Sequence, residues 1–147
     1  MIQFAAAQLK DITDAAETAY PNECCGLLAG REITGGVEVT RVVASDNVTE
    51  SDHADSFEVD PQVRFNLMRE LGEIGDGPRS DQRMIGHYHS HPDHPAEPSA
   101  RDLEKAYEPD LIWVVASVVG GRTTRITAHR IDPKTMQFRE IPVHTMD

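Results

Sequence analysis

GHYHSHPDHPAEPSARD, residues 86–102, carries four of the chain's seven histidines and closes on Asp102. Its first half reads as a strand, and side chains at i and i+2 of a strand leave the same face with Cα atoms roughly 6.5 to 7 Å apart. His89 and His91 can therefore converge on one ion through imidazole nitrogens, as H-x-H does in half a zinc site. The strand is expected to break at Pro92, and HPDHPAEP to form a stiff loop before Ser99. Asp102 falls in the first turn of a helix beyond it, from where its carboxylate can return as a third ligand. Three protein ligands with one open position describe a catalytic zinc, whereas a structural zinc is closed. A second reading needs no metal. An H-x-H pair also occurs as a plain surface feature, and Ser99-x-x-Asp102 fits a capping box, in which serine holds the N3 amide and the acid reaches back to the N-cap amide. The two readings compete for one carboxylate.

Composition narrows the classes. With 147 residues, 39% of them apolar, the chain suits one core, so a single domain spanning 1–147 is expected. The formal charge of -11, from 25 acidic against 14 basic residues, argues against nucleic acid as a partner, because phosphate neutralisation needs clustered Lys and Arg. No stretch approaches the roughly 20 apolar residues that span a bilayer, and MIQFAAAQLK lacks the pattern of a secretory signal. A soluble protein is expected, with no membrane partner. Cys24 and Cys25 are adjacent in a strand-like run and point to opposite faces, so they are expected as free thiols, in keeping with a cytoplasmic location.

Elements of both kinds surround the histidine stretch. Leu9, Ile12, Ala16 and Ala19 follow a 3.6-residue period and predict a helix over 8–19, ending before Pro21. CCGLLAG reads as a strand buried on both faces, and VEVTRVVA, after Gly35 and Gly36, as its hairpin partner. Residues 45–56, SDNVTESDHADS, form an acidic loop that either keeps the chain soluble or meets a partner. FEVD predicts a brief strand, and Pro61 opens a helix whose stripe is Val63, Leu67, Leu71 and Ile74. MIGHYHS is a strand, ARDLEKAY a short helix, and LIWVVASVV the most apolar strand. RTTRITAHRI and MQFREIPVH, separated by Asp132 and Pro133, complete a terminal meander. The class is α/β, a mixed sheet covered by helices.

HSHP, then PSARD, with PNECCGLLAG far upstream, resemble the signature of the JAMM metallopeptidases of the catalytic MPN type. That signature is a Glu, then H-x-H-P at a distance, seven residues from the second His to a Ser, and two further residues to an Asp. Glu23, His89, His91, Ser99 and Asp102 fill it. CGLLAG, FEVDP and the glycine ahead of the histidine strand extend the resemblance over about residues 8 to 130. It implies a single α/β domain with a curved mixed β-sheet flanked by helices, related to the cytidine deaminases. It implies one Zn2+ per chain on His89, His91 and Asp102, with water in the fourth position and its pKa lowered from about 15.7 toward 7. Glu23 would carry the proton from that water to the leaving amine, and Ser99 would hydrogen-bond the developing oxyanion. Without the motif, Glu23 reads as a solvated acid after a helix.

His87 departs from the family pattern, which often has an aromatic such as Trp there. On a strictly alternating strand it shares the face of His89 and His91, where a fourth ligand would displace the water. A supporting or core role is the reading adopted, because the geometry that the resemblance implies already completes the site. His94 belongs to the substrate rim or is simply exposed, while His53, His129 and His144 carry no motif. The short span from Glu23 to His89 leaves no room for large ubiquitin-gripping insertions, and in this the chain looks most like the bacterial Mec-type hydrolases. The resemblance then implies a ubiquitin-like sulfur carrier protein with a C-terminal Gly-Gly as partner, and release of cysteine for cysteine biosynthesis. Isopeptide hydrolysis, a noncatalytic MPN scaffold, and a cupin-like site on His89, His91, Glu97 and His129 remain alternatives. Nothing in the sequence sets the oligomeric state.

Overall fold

A computed structural model of the chain describes residues 1–99, 102 and 108–146. In chain order the elements are β1 (Ile2–Ala5), α1 (Ala6–Ala19), β2 (Cys25–Ile33), β3 (Gly36–Ser45), α2 (Pro61–Glu70), β4 (Arg83–Pro92), β5 (Ile112–Val119), β6 (Arg122–Asp132), β7 (Gln137–Ile141) and β8 (Val143–Met146). The helix expected over ARDLEKAY lies outside the described residues apart from Asp102.

All the strands join one mixed sheet of order β7-β6-β5-β4-β2-β3-β1-β8. β1 pairs parallel with β3 and β8, and β4 parallel with β5; the other pairs are antiparallel. β7 and β8 lie at opposite ends of that order, yet only Pro142 separates them in sequence. One residue spans at most about 3.6 Å, so the sheet must curl until its two edges come together at this corner. Ile2 N–H donates to the Pro142 carbonyl there (3.0 Å). MQFREIPVH is therefore not one meander strand. Proline lacks the N–H that continues a ladder, and the chain changes edges at it. β1 itself, four residues long, is a further strand absent from the expectations above.

α1 packs on one face of the sheet, burying Ile12 and Ala16 against Ile2, Phe4, Leu28, Tyr88 and Val114. It begins earlier than residue 8 because the Gln8 side chain accepts from Ala5 N–H (2.8 Å), which satisfies an otherwise orphaned helix donor. On the other face Leu67 of α2 and Leu71 just beyond it pack with Leu27, Ala29 and Met84. Asp60 caps α2 by accepting from Gln62 N–H (2.9 Å), and Pro61 takes the first helical position. α2 stops before Ile74, since the chain turns at Gly72 with φ +77, a left-handed conformation that suits glycine. FEVD forms no strand; its Val59 makes only an isolated bridge to Asn47.

β4 is central, with β2 on one side and β5 on the other. Leu28 pairs with Gly86 but Ala29 with Met84, which leaves Ile85 as the extra residue of a bulge. The bulge resets the alternation: Ile85 joins the α1 face, whereas Met84 packs under α2. Gly86 sits at this irregularity against β5, where an added Cβ would meet the Ile112 carbonyl oxygen. That neighbour is backbone and cannot swing away. Gly86→Ala is expected to destabilise the fold by about 1–3 kcal/mol, the usual range for overpacking, measurable as a lower denaturant midpoint at unchanged m-value.

Candidate active site

Register carries the histidines to one place. Across β2, β4, β5 and β6 the pairings align Leu27, His87, Trp113 and His129 in one row, and Cys25, His89, Val115 and Thr127 in the next. His91 pairs with Ser117 one step further along. The segment after Pro92 folds back toward this face and is gripped from below. Ser117 Oγ donates to the His94 carbonyl (2.6 Å), and Thr127 Oγ1 to the Ala96 carbonyl (2.5 Å).

Three donor atoms meet there. His89 Nε2 lies 3.0 Å from His91 Nε2, and each is 3.2 Å from Asp102 Oδ2. Ligands placed tetrahedrally about 2.0–2.1 Å from a zinc ion would stand roughly 3.3 Å from one another. The triangle is thus close to one face of such a polyhedron, and the two-nitrogen, one-oxygen donor set suits the same ion. His91 Nδ1–H donates to the Pro95 carbonyl (3.0 Å), which points the Nε2 lone pair inward; this is the usual outer hydrogen bond of a ligating histidine. The residues present fit the metal.

Burial and charge oppose one another in the cluster. His89 is fully buried, and desolvation holds its pKa below the ordinary histidine value despite the Asp102 hydrogen bond. His91 is buried too, yet its bonds to Asp102 and Pro95, together with the Asp102 and Glu23 charges, outweigh desolvation and raise its pKa. Burial works to raise the Asp102 pKa, but hydrogen bonds from His89, His91 and the Ser99 amide hold the carboxyl well below the usual range. Its charge is therefore permanent at neutral pH.

Asp102 does not have to choose between cap and cluster. The same Oδ2 accepts from Ser99 N–H (2.8 Å), while Ser99 Oγ accepts from Asp102 N–H (3.0 Å). The capping box and the three-donor triangle share one oxygen. Glu23 is buried, and its carboxylate belongs to a group with His89 and His91 whose ligand atoms all lie within 4.8 Å of one another. All five motif residues are thus gathered at the face. Glu23, His91, His94, Glu97 and Ser99 line an open cleft of about 460 Å³, which also takes in Asp55 of the acidic segment.

His87 stands outside this group. Its ring meets Trp113 edge-on at 4.2 Å, with Phe57 at 5.8 Å, and burial pushes its pKa down to about 3. His129 bonds Thr127 Oγ1 through Nε2 (2.8 Å), behind the 93–97 loop. Cys25 packs with Phe57 and Trp113, and burial pushes its thiol up to about 12. Cys24 and Cys25 are both free thiols.

Several contributors escaped the motif. Phe57 stacks on the His89 ring at 4.2 Å and 15°. Ser90, between His89 and His91, accepts from Cys24 N–H (2.8 Å) and so ties the residue after Glu23 to β4. The Pro95 contribution is a carbonyl, which no side-chain pattern announces. Phe57 and Ser90 were visible in FEVD and H-S-H as residues but carried no spacing that pointed to the site.

The fold and this cluster define a JAB/MPN-type α/β domain. A structure described as JAMM, a metalloprotease-like zinc site in the proteasome and signalosome, shares the fold at a TM-score of 0.58 and 14% identity, covering 100% of this chain and 99% of that one. A solution structure from Desulfitobacterium hafniense aligns at a TM-score of 0.81 and 28% identity over 100% of this chain and 94% of that chain. A desampylase of Haloferax volcanii is 32% identical over 127 residues, which is 84% of this chain and 78% of that protein. The chain belongs to the prokaryotic homologs of the JAB domain, whose family model matches residues 5–132. The resemblance read from Glu23, H-S-H-P and S-A-R-D is borne out at the level of family and fold.

The shared capping box can be checked without metal. Ser99→Ala removes the acceptor for Asp102 N–H and is expected to cost about 1 kcal/mol. For a chain of this size that lowers the Tm of metal-free protein by roughly 2–4 °C, readable by calorimetry.

Proposed function

We propose that the chain is a zinc-dependent hydrolase of the JAMM type, cutting the amide bond that follows the C-terminal Gly-Gly of a ubiquitin-like sulfur carrier protein and releasing cysteine. The observation that carries this reading is the 3.0–3.2 Å triangle of His89 Nε2, His91 Nε2 and Asp102 Oδ2 beside the buried Glu23 carboxylate in an open cleft. Membership of the family and similarity to a desampylase support the reaction class.

His89, His91 and Asp102 would hold one Zn2+ per chain, which would supply Lewis acidity and activate water at neutral pH. Glu23 accepts the proton of the attacking water and hands it to the leaving amine, a contribution worth roughly 10²- to 10⁴-fold. Ser99 uses an oxygen lone pair, not its hydroxyl proton, for the Asp102 amide, and that proton is the one donated to the carbonyl oxygen as it becomes negative. Ser99 is exposed at the cleft, as a group meeting substrate must be. A Gly-Gly tail suits the cleft because a segment without side chains lies extended and can add to a sheet edge. The reading takes the chain as a cytoplasmic single-domain enzyme over 1–147, in keeping with its two free thiols; among the described residues no helix is long and apolar enough to cross a membrane.

The test uses the zinc-loaded protein and a Gly-Gly carrier bearing either a C-terminal cysteine or a lysine isopeptide, read by mass spectrometry. Loss of the cysteine is the expected result, isopeptide cleavage would move the assignment toward lysine release, and retention of both adducts sinks the carrier reading. Glu23→Ala is expected to keep one equivalent of zinc and lose at least about 100-fold in rate; a fully active variant would defeat the mechanism. His91→Ala is expected to weaken zinc binding by more than the roughly 10- to 100-fold that loss of an outer hydrogen-bond partner costs, measured by competition with a chelator.

A further inference from the structure

The acidic segment between β3 and α2 has no part in the chemistry above, and its folding supplies one. Asn47 uses all four hydrogen-bonding positions of its amide. Nδ2 donates to the carbonyls of Glu23 (3.2 Å) and Ser56 (2.9 Å), and Oδ1 accepts from the amides of Thr49 (3.2 Å) and Glu58 (3.0 Å). An amide side chain alone offers two donors and two acceptors; a carboxylate of the same shape offers no donor.

These bonds draw the ends of the segment together, helped by Val48 N–H to the Glu58 carbonyl (3.0 Å). They also fasten the closed segment to Glu23. Glu23 precedes β2, which starts at Cys25, so its backbone is held from elsewhere. Its N–H donates to the His53 carbonyl (2.7 Å), and its carbonyl accepts from Asn47. Both backbone polar groups of Glu23 thus go to the acidic segment. The same segment sets Phe57 on the His89 ring.

We propose that Asn47 is a positioning residue for Glu23: it closes the 47–58 segment and, through the Glu23 carbonyl, holds the carboxylate at the distance from the donor triangle that proton transfer needs. The inference rests on the function proposed above. Asn47 bonds none of the three donor residues and reaches the cleft lining only through the Glu23 carbonyl, so its removal should act on the rate of the chemical step and leave metal and substrate binding alone. A misplacement of about 1 Å in a catalytic group can cost on the order of 10²-fold.

Asn47→Asp keeps the size and both acceptors and removes both donors. In zinc-loaded protein the expected result is one bound zinc at unchanged affinity, a little-changed KM for the carrier conjugate, and kcat lower by about 10- to 100-fold. The Glu23 amide should exchange its hydrogen faster. Asn47→Ala, which brings no charge, should do the same and covers the case in which the new carboxylate unfolds the segment. Wild-type kcat in both variants, or a kcat that falls only in step with lost zinc or lost folded protein, overturns the proposal. If wild-type protein cleaves no conjugate, it is the functional reading that falls, and the exchange rate of the Glu23 amide still decides whether Asn47 holds it.

Discussion

The site depends on the phase of β4. A strand paired on both sides cannot slip by one residue without turning every side chain to the opposite face, and β4 is locked between β2 and β5 from Gly86 to His89. The bulge at Ile85 sets that phase. It lets Met84 and Ile85 serve different cores while His89 and His91, two residues apart, stay on the α2 side. Without it, strict alternation would place Ile85 on the histidine face. A buried apolar side chain and a polar cluster would then compete for one layer. Bulges recur beside active sites for this reason: one extra residue re-aims all that follow.

The second constraint is electrostatic. Three lone pairs aimed at one point, two of them on buried rings, form a poor arrangement for a protein interior unless something positive is shared among them. A proton does this in part, which is why the Asp102 charge and the Pro95 carbonyl raise the His91 pKa against desolvation. A divalent cation does it for all three at once. The Asp102 oxygen is the pivot, because the Ser99 amide bonds the same atom that meets the two histidines. Cap and cluster are thus joined through one atom.

The spacing of Glu23, His89, His91, Ser99 and Asp102 was readable because motif chemistry is local in sequence or holds a characteristic order along it. α1, α2 and the strands from β2 to β6 were likewise written in local periodicity. What escaped was decided by pairing between distant segments. β1 is too short to carry a pattern, and β8 is separated from β7 only by Pro142, so nothing local says that β8 crosses to the opposite edge. The bulge at Ile85 depends on how β2 lies against β4. The 45–56 stretch read as a solvated loop because charge was its strongest signal, while its order comes from one amide at Asn47 whose partners lie up to 24 residues away.

Two loops thus complete a site that the sheet begins. The 47–58 segment holds Glu23, and the 93–97 loop holds the carbonyl that orients His91. Each is bound through side chains that hydrogen-bond backbone carbonyls, from Asn47 in one case and from Ser117 and Thr127 in the other, and the first is also anchored by Phe57, which packs with Cys25 and Trp113. Bonds of this kind fix position without covering the cleft. Groups held in this way have little further freedom to lose when a ligand enters the cleft, so the ordering cost of binding falls mainly on the ligand.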